Sequence, residues 1–434
     1  MSARVVQARA GRIDGVVARL HNLHPRLIDL SLDRLQALLE KLKNPEQRLP
    51  PIIHVAGTNG KGSTCAFLRA MAEAAGLRTH VYTSPHLVRF NERIRIASEL
   101  VADAALIATL EELERINAGA AITVFEMLTA VAFQLFAATP ADLCILEVGL
   151  GGRFDTTNII ARPHACAITT ISIDHREFLG DSLAKIAFEK AGILKPGVPC
   201  AVGAQPPEAL DIILTHAAQI GAPILLRDRD WSIAATDTGL RYADRVGTID
   251  LPPPSLPGVH QHDNAGIAIA ALSAAMPNIP SGAIATGIGR AEWPGRMQRL
   301  TGALTALLPQ AWELYLDGGH NPGAGMVLAA HLRGWADRPT HVIVGMKQAK
   351  DSAEFLRPML AHAATLWAVT EPGQHLALPV EAIIAASGGV ARAGPDIRGA
   401  LRALPADGPP ARVLICGSLY LAGEVLKLDG ARPA

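Results

Sequence analysis

The segment His54-Val55-Ala56-Gly57-Thr58-Asn59-Gly60-Lys61-Gly62-Ser63-Thr64 constrains this chain more than any other. An apolar run from Ile52 to Val55 leads into it, and a helix-length stretch from Ser63 to Ala75, closed by Gly76, leads out. Glycines let the backbone curl until its N–H groups converge. The helix N-terminus that follows carries partial positive charge, and Lys61 adds a full one, so the segment suits phosphate oxygens. The standard pattern G-x-x-x-x-G-K-[ST] would need Gly where Val55 stands and Ser or Thr where Gly62 stands. The strand–turn–helix context still points to a nucleoside triphosphate, with a structural glycine turn as the alternative.

The same alternation recurs along the chain. Leu143 to Val148 ends in Gly149-Leu150-Gly151-Gly152. Ala165 to Ile173 reads as a further strand ending at Asp174-His175, and Leu183 to Leu194 reads as a helix stopped by Lys195-Pro196-Gly197. Apolar strands that feed helices predict βαβ units and a mostly parallel sheet. The pattern restarts with strands at Trp312 to Asp317, His341 to Gly345 and Arg412 to Cys416. The expected architecture is therefore α/β, with a phosphate-loop ATPase domain over residues 1–295 and a smaller α/β domain over 296–434. The boundary falls near Pro294-Gly295-Arg296. The hydrophobic fraction is 49% and the charged fraction 18%. That charge content is below the usual ~25%, so a large core is expected and wholesale disorder is not.

Charge and cysteine usage exclude several classes. Lys plus Arg is 40 and Asp plus Glu is 40, which argues against a nucleic-acid binder relying on a bulk basic surface. The 5 cysteines stand singly, without metal or redox spacing, and read as reduced buried thiols. Met1 to Leu20 carries several arginines and no apolar core of signal-peptide length. The charge-free stretch Asn264 to Gly289 is broken by Pro277 and Pro280, so a buried helix and turn fit better than a membrane span. A cytoplasmic protein is expected.

Bound ATP needs a divalent cation, so ligands should stand at strand ends near the loop. Ser84, Glu147 and His175 are candidates there, although a buried ion pair would explain Glu147 and a structural role would explain His175. Lys190 near a helix C-terminus also suits the helix dipole. Asp317 and His320 share the tight turn Asp317-Gly318-Gly319-His320-Asn321-Pro322, where ordinary turn chemistry is the alternative. Arg296, at the boundary, can reach a phosphate across an interdomain cleft or be a solvated charge.

Together these motifs resemble the folylpolyglutamate synthase/dihydrofolate synthase family, within the Mur-type ATP-dependent amide ligases. Further anchors are Ile28 to Leu32, Ser84-Pro85-His86-Leu87, Phe90-Asn91-Glu92-Arg93, Glu147 to Arg153, Glu189-Lys190-Ala191-Gly192 and Gly417 to Leu421. The resemblance spans about His24 to Val425. It implies a Mur ligase-like fold with a Rossmann-like C-terminal domain. Thr58, Asn59, Gly60, Lys61, Gly62 and Ser63 would hold ATP phosphates, with Asn264, Arg296 and Asp317 as further nucleotide contacts. Ser84, Glu147 and His175 would ligate Mg²⁺, two ions in all, and Lys190 would be carbamylated. His320 and Ser418 would lie near the incoming glutamate. His24, Pro25, Arg26, Leu27, Thr123, Val124, Phe125, Glu126, Phe154, Asp155 and Thr156 would receive the pteroate. The chain departs from the family's usual pattern at Gly319 and at Ala349, which stands in place of an aspartate.

The implied reaction joins L-glutamate to dihydropteroate and to the glutamate tail of reduced folates through an acyl phosphate. The expected partners are thus small molecules, with no nucleic acid or membrane, and the expected state is a monomer. The alternatives are a monofunctional folylpolyglutamate synthase, a Mur-type cell-wall ligase, expected to carry a further domain ahead of the loop, and a non-ligase phosphate-loop ATPase.

Overall fold

A computed structural model describes residues 29–348, 350–372, 374 and 376–430, with 13, 15, 16, 18–20 and 23 of the N-terminal stretch. The candidates His24, Pro25, Arg26 and Leu27, and position 349, lie outside the described residues.

The first sheet contains β1 (Ile52–Ala56), β2 (Thr79–Tyr82), β3 (Ile94–Ile96), β4 (Glu99–Leu100), β5 (Leu143–Glu147), β6 (Ala165–Ile168), β7 (Cys200–Val202) and β8 (Ile224–Leu226). Their order is β4-β3-β2-β5-β1-β6-β7-β8. From β2 to β8 the pairings are parallel, and β3 and β4 add an antiparallel edge. Both faces of β1 are covered: Ile53 and Val55 enter one core cluster with Phe67, Leu68 and Met71, while Ile52 joins another with Phe133 and Leu146. That two-sided burial is why the parallel strands read as unbroken apolar runs.

The helix α1 (Lys61–Ala74) follows the glycine loop, and α2 (Val124–Ala138), α3 (Leu183–Ala191) and α4 (His260–Ala275) cover the sheet. A three-stranded antiparallel sheet, β9 (Trp231–Thr236), β10 (Gly239–Asp244) and β11 (Thr248–Leu251), packs beside α4. The parallel-sheet expectation did not contain it, because each strand is short and half-exposed and carries no strong apolar run.

The second large sheet contains β12 (Gln298–Leu300), β13 (Glu313–Leu316), β14 (Thr340–Val344), β15 (Thr365–Ala368), β16 (Arg392–Ala393) and β17 (Arg412–Cys416), in the order β12-β13-β17-β14-β15-β16. All its pairings are parallel except that of β12 with β13. The helices α5 (Pro322–Gly334) and α6 (Leu419–Asp429) follow β13 and β17.

One predicted strand is corrected. The run from Ala165 leaves the ladder after Ile168 instead of continuing to Ile173. Its apolar character comes from burial in a loop: the Thr170 carbonyl accepts from the amides of Thr58 and Asn59, so the segment braces the glycine loop. Among the described residues no helix is long and apolar enough to cross a membrane.

Candidate active site

The loop between β1 and α1 is shaped by contacts that exclude side chains. Gly57 has φ +142° and Gly60 φ +94°, a region that favours glycine. A Cβ on Gly57 would stand 1.9 Å from Thr169 Oγ1, and one on Gly60 2.2 Å from Asn264 Oδ1. Gly62 answers the missing Ser or Thr of the standard pattern: a Cβ there would meet the Trp293 indole at 2.5 Å. Gly62→Thr is therefore expected to cost about 1–3 kcal/mol through overpacking. An unchanged urea midpoint for that variant would contradict the contact.

The structure divides the labour within the loop. The amides of Thr58 and Asn59 are spent on the Thr170 carbonyl. The Thr58 hydroxyl donates to the Ser172 carbonyl at 3.1 Å, and Asn59 Nδ2 donates to Ser172 Oγ and to Asn321 Oδ1, both at 3.1 Å. The amides of Lys61, Gly62 and Ser63 sit in the first turn of α1, where no intrahelical acceptor exists. Lys61 Nζ folds back on the carbonyls of Gly57 and Thr58 at 3.1 and 3.2 Å. Asn264, on α4, donates to Gln261 Oε1 at 2.9 Å.

Every other candidate residue that the structure describes lines one cavity of about 700 Å³, bordered by both large sheets. Glu147, at the end of β5, accepts from the Ser84 amide at 3.2 Å. It makes no ion pair among the described residues, and burial raises its pKa to about 7 against the pull of Lys61 and the Ser84 amide. A buried carboxylate with one hydrogen bond and no paired cation is costly. That deficit, beside the Ser84 hydroxyl, fits a divalent cation. His175 is held neutral, its pKa lowered to about 3, first by burial. Neutral imidazole is the ligating form. Its Nε2, however, faces Lys350 Nζ at 3.5 Å. The structure thus joins Ser84 to Glu147 and turns His175 toward Lys350. Among the described residues no group of three His, Cys, Asp or Glu side chains converges as a metal site.

Lys190 is buried at the end of α3, and its Nζ donates to the Gly57 carbonyl at 2.8 Å. Burial, helped by Lys61, lowers its pKa to about 7, so a nucleophilic free amine is accessible at neutral pH. The carboxylate of Asp317 accepts from the amides of Met297 and Gly319 at 2.9 and 2.7 Å. It ties the turn after β13 to the Arg296 segment, and Arg296 lines the cavity unpaired among the described residues. Ser418 caps α6 by accepting from the Tyr420 amide at 3.1 Å, and His320 Nδ1 stands 2.9 Å from the Gly318 carbonyl.

At the apolar end, Phe125 packs so closely that a Cβ on Gly149 would be 2.4 Å from its ring. Phe154 is half-exposed, with the Arg153 guanidinium 4.4 Å from its ring centre. Val124 lines the cavity beside them. The polar members of this group serve internally. Thr123 and Glu126 form a capping box, and Glu126 also pairs with Arg34 at 2.9 Å. Asp155 accepts from the amides of Gly149, Leu150 and Thr157. Thr156 bonds Thr129 at 2.7 Å.

Asp174 is the site residue that the sequence reading missed. Its carboxylate accepts from Asn321 Nδ2 at 3.0 Å, pairs with Lys350 Nζ, and lies 3.6 Å from His320 Nε2. Burial alone would raise its pKa, but His320, His175 and Lys350 hold it well below the carboxylate range. Asn59 and Asn321 exchange amide hydrogen bonds at 3.1 and 3.0 Å beside it. The only signal in the sequence was its place before His175.

Comparison with known proteins agrees with this geometry. Residues 55–203 match the Mur ligase middle domain, and residues 302–428 match the C-terminal domain of dihydrofolate synthetase. The folylpolyglutamate synthase of Lacticaseibacillus casei is 36% identical over 428 residues, covering 94% of this chain and 96% of that one. The structure of E. coli FolC in complex with DHPP and ADP superposes with a TM-score of 0.86 at 32% identity, covering 96% of this chain and 97% of that one. The bifunctional folylpolyglutamate synthase/dihydrofolate synthase of Yersinia pestis, complexed with AMPPNP and Mn, gives a TM-score of 0.85 at 32% identity, covering 95% and 97%.

Proposed function

This chain belongs to the folylpolyglutamate synthase/dihydrofolate synthase family of Mur-type ATP-dependent ligases, and from that premise we propose that it joins L-glutamate both to dihydropteroate and to the glutamate tail of reduced folates. The observation that carries this is one cavity that holds together an anion-receptive helix N-terminus, a cation-deficient carboxylate and the aromatic wall of Phe125 and Phe154.

The acceptor's carboxylate attacks the γ-phosphorus of ATP and releases ADP, leaving an acyl phosphate. The amine of glutamate attacks that carbonyl, and collapse of the tetrahedral adduct expels phosphate and leaves an amide. The first-turn amides of α1 receive phosphate oxygens. Lys61 and Arg296 neutralise the charge spread over the phosphoryl group in flight, with Asn264 and Asp317 completing the nucleotide site. Ser84 and Glu147 would hold Mg²⁺, which when bound supplies charge neutralisation on the phosphate oxygens; His175, on turning from Lys350, and Lys190 as a carbamate would join them. His320 and Ser418 stand where glutamate enters. Two domains closing over the cleft would exclude water, which hydrolyses an acyl phosphate. The protein works as a cytoplasmic monomer on small molecules.

The test is ADP formation by the purified protein with glutamate and either dihydropteroate or tetrahydrofolate. Activity with both is expected. Activity with tetrahydrofolate alone would leave a monofunctional folylpolyglutamate synthase, and ATP hydrolysis indifferent to glutamate would overturn the ligase reading.

A further inference from the structure

The cavity wall carries two cations that the reaction does not use. Lys61 and Arg296 serve the phosphates, Lys190 is on the Gly57 carbonyl, and Lys350 is on Asp174. Arg93 and Lys347 remain, and both line the cavity. Arg93 Nε donates to His86 Nδ1 at 2.9 Å, and the guanidinium lies 5.9 Å from the Phe90 ring centre. It makes no ion pair among the described residues. Its neighbour Glu92 is committed elsewhere, accepting from the amides of Leu87, Val88 and Arg89. Lys347 Nζ sits 4.9 Å from the Tyr420 ring centre and likewise has no ion pair among the described residues.

Three elements bring these groups to one place. β14 and β17 are adjacent and parallel, with Val344 opposite Cys416, so Lys347 and Tyr420 both follow the carboxyl ends of neighbouring strands. That is where open parallel sheets bind ligands. The helix carrying Tyr420 presses against the loop carrying Arg93: a Cβ on Gly423 would stand 2.0 Å from the Leu87 carbonyl. Leu87 and Val88 pack into the core of the second sheet. Tyr420 is also close enough to contribute to the electrostatics of Arg93. Two partly desolvated cations without anions are unfavourable alone, so a bound anion would complete both.

The chemistry selects that anion. The charge of ATP is met at the glycine loop, and the carboxylate of dihydropteroate is consumed in the reaction. With dihydropteroate as acceptor, only the incoming amino acid brings two carboxylates that stay intact. Resting on the proposed function, we infer that Lys347 and Arg93, which line one cavity with Tyr420, form a specificity-determining pair that receives the two carboxylates of glutamate.

The test uses the full-length protein, with dihydropteroate as acceptor so that no folate tail competes. Lys347→Met and Arg93→Gln are each expected to raise KM for glutamate roughly 10- to 100-fold, with KM for ATP and dihydropteroate within about twofold of wild type. Arg93→Lys is expected to recover part of the loss. In at least one variant the preference for glutamate over glutamine, which lacks the second carboxylate, should narrow. An unchanged KM for glutamate in both single variants would overturn the inference. So would a rise confined to dihydropteroate, which would give the cations to the pteroate. Should Arg93→Gln fail to fold, as read by thermal melting and AMPPNP binding, Lys347→Met decides alone. A wild-type protein that ligates no glutamate would overturn the functional reading itself, a result separate from any of these.

Discussion

Lys61→Ala is expected to lower kcat/KM for ATP-dependent ligation by about 1,000-fold, roughly 4 kcal/mol of transition-state stabilisation. The ammonium is the one full positive charge inside the glycine loop, and among the described residues it rests on the carbonyls of Gly57 and Thr58 alone. Those two bonds are weak anchors, so the side chain can swing to a phosphate with little loss. Its removal should spare the fold, because α1 is held by Phe67, Leu68 and Met71 in the core. Lys61→Arg should recover little, since the planar guanidinium cannot occupy the point between the two carbonyls. Near-wild-type ligation by Lys61→Ala would defeat the phosphate-loop assignment.

Asp174→Ala is expected to cost about 3 kcal/mol of stability and to cut kcat/KM about 100-fold. Both effects have one cause. The carboxylate is the acceptor on which Lys350 and Asn321 of the second sheet's domain converge on a loop of the first, with His320 alongside. Alanine leaves the half-buried Lys350 ammonium without its anion and frees Asn321, whose amide also holds Asn59 of the glycine loop. Asp174→Asn keeps the shape and loses the charge. It should fall between alanine and wild type in urea denaturation and stay impaired in turnover. Wild-type stability together with wild-type turnover in Asp174→Ala would show that the contact joins nothing of consequence.

The two residues differ in how far the chain alone exposed them. Lys61 stands inside eleven consecutive positions whose conformational demands are local: glycines at positive φ, an apolar strand before, a helix after. Such a segment can be read without knowing what surrounds it. Ser84, Glu147 and His175 were legible as polar residues after apolar strands, because a parallel sheet gathers the carboxyl ends of its strands on one edge. That rule reaches the edge but not the orientation, and His175 turned toward Lys350. Glu126 and Asp155 show the same limit. They line the aromatic end of the cavity, yet their oxygens are committed to amides and, for Glu126, to Arg34. Nothing in a run of residues reveals such commitments.

The strand read from Ala165 to Ile173 shows how burial misleads. Apolar residues there are inside, but the backbone past Ile168 satisfies the amides of Thr58 and Asn59 instead of a neighbouring strand. Hydropathy reports burial, while hydrogen-bond partners decide what buried backbone becomes.

The sequence by itself determined the α/β class, the glycine loop and its lysine, the strand ends that carry polar residues, and the family these motifs share. Only the tertiary structure decided that Asp174 joins a loop of the first sheet to Lys350 and Asn321 beside the second, that Gly62 yields its place to Trp293, and that Arg93 and Lys347 line one cavity. Periodicity, glycine geometry and helix ends act between residues a few positions apart, so the chain displays them directly. Ion pairs and close approaches act over a few ångströms between segments that can be a hundred or more positions apart, and distance along the chain carries no trace of them.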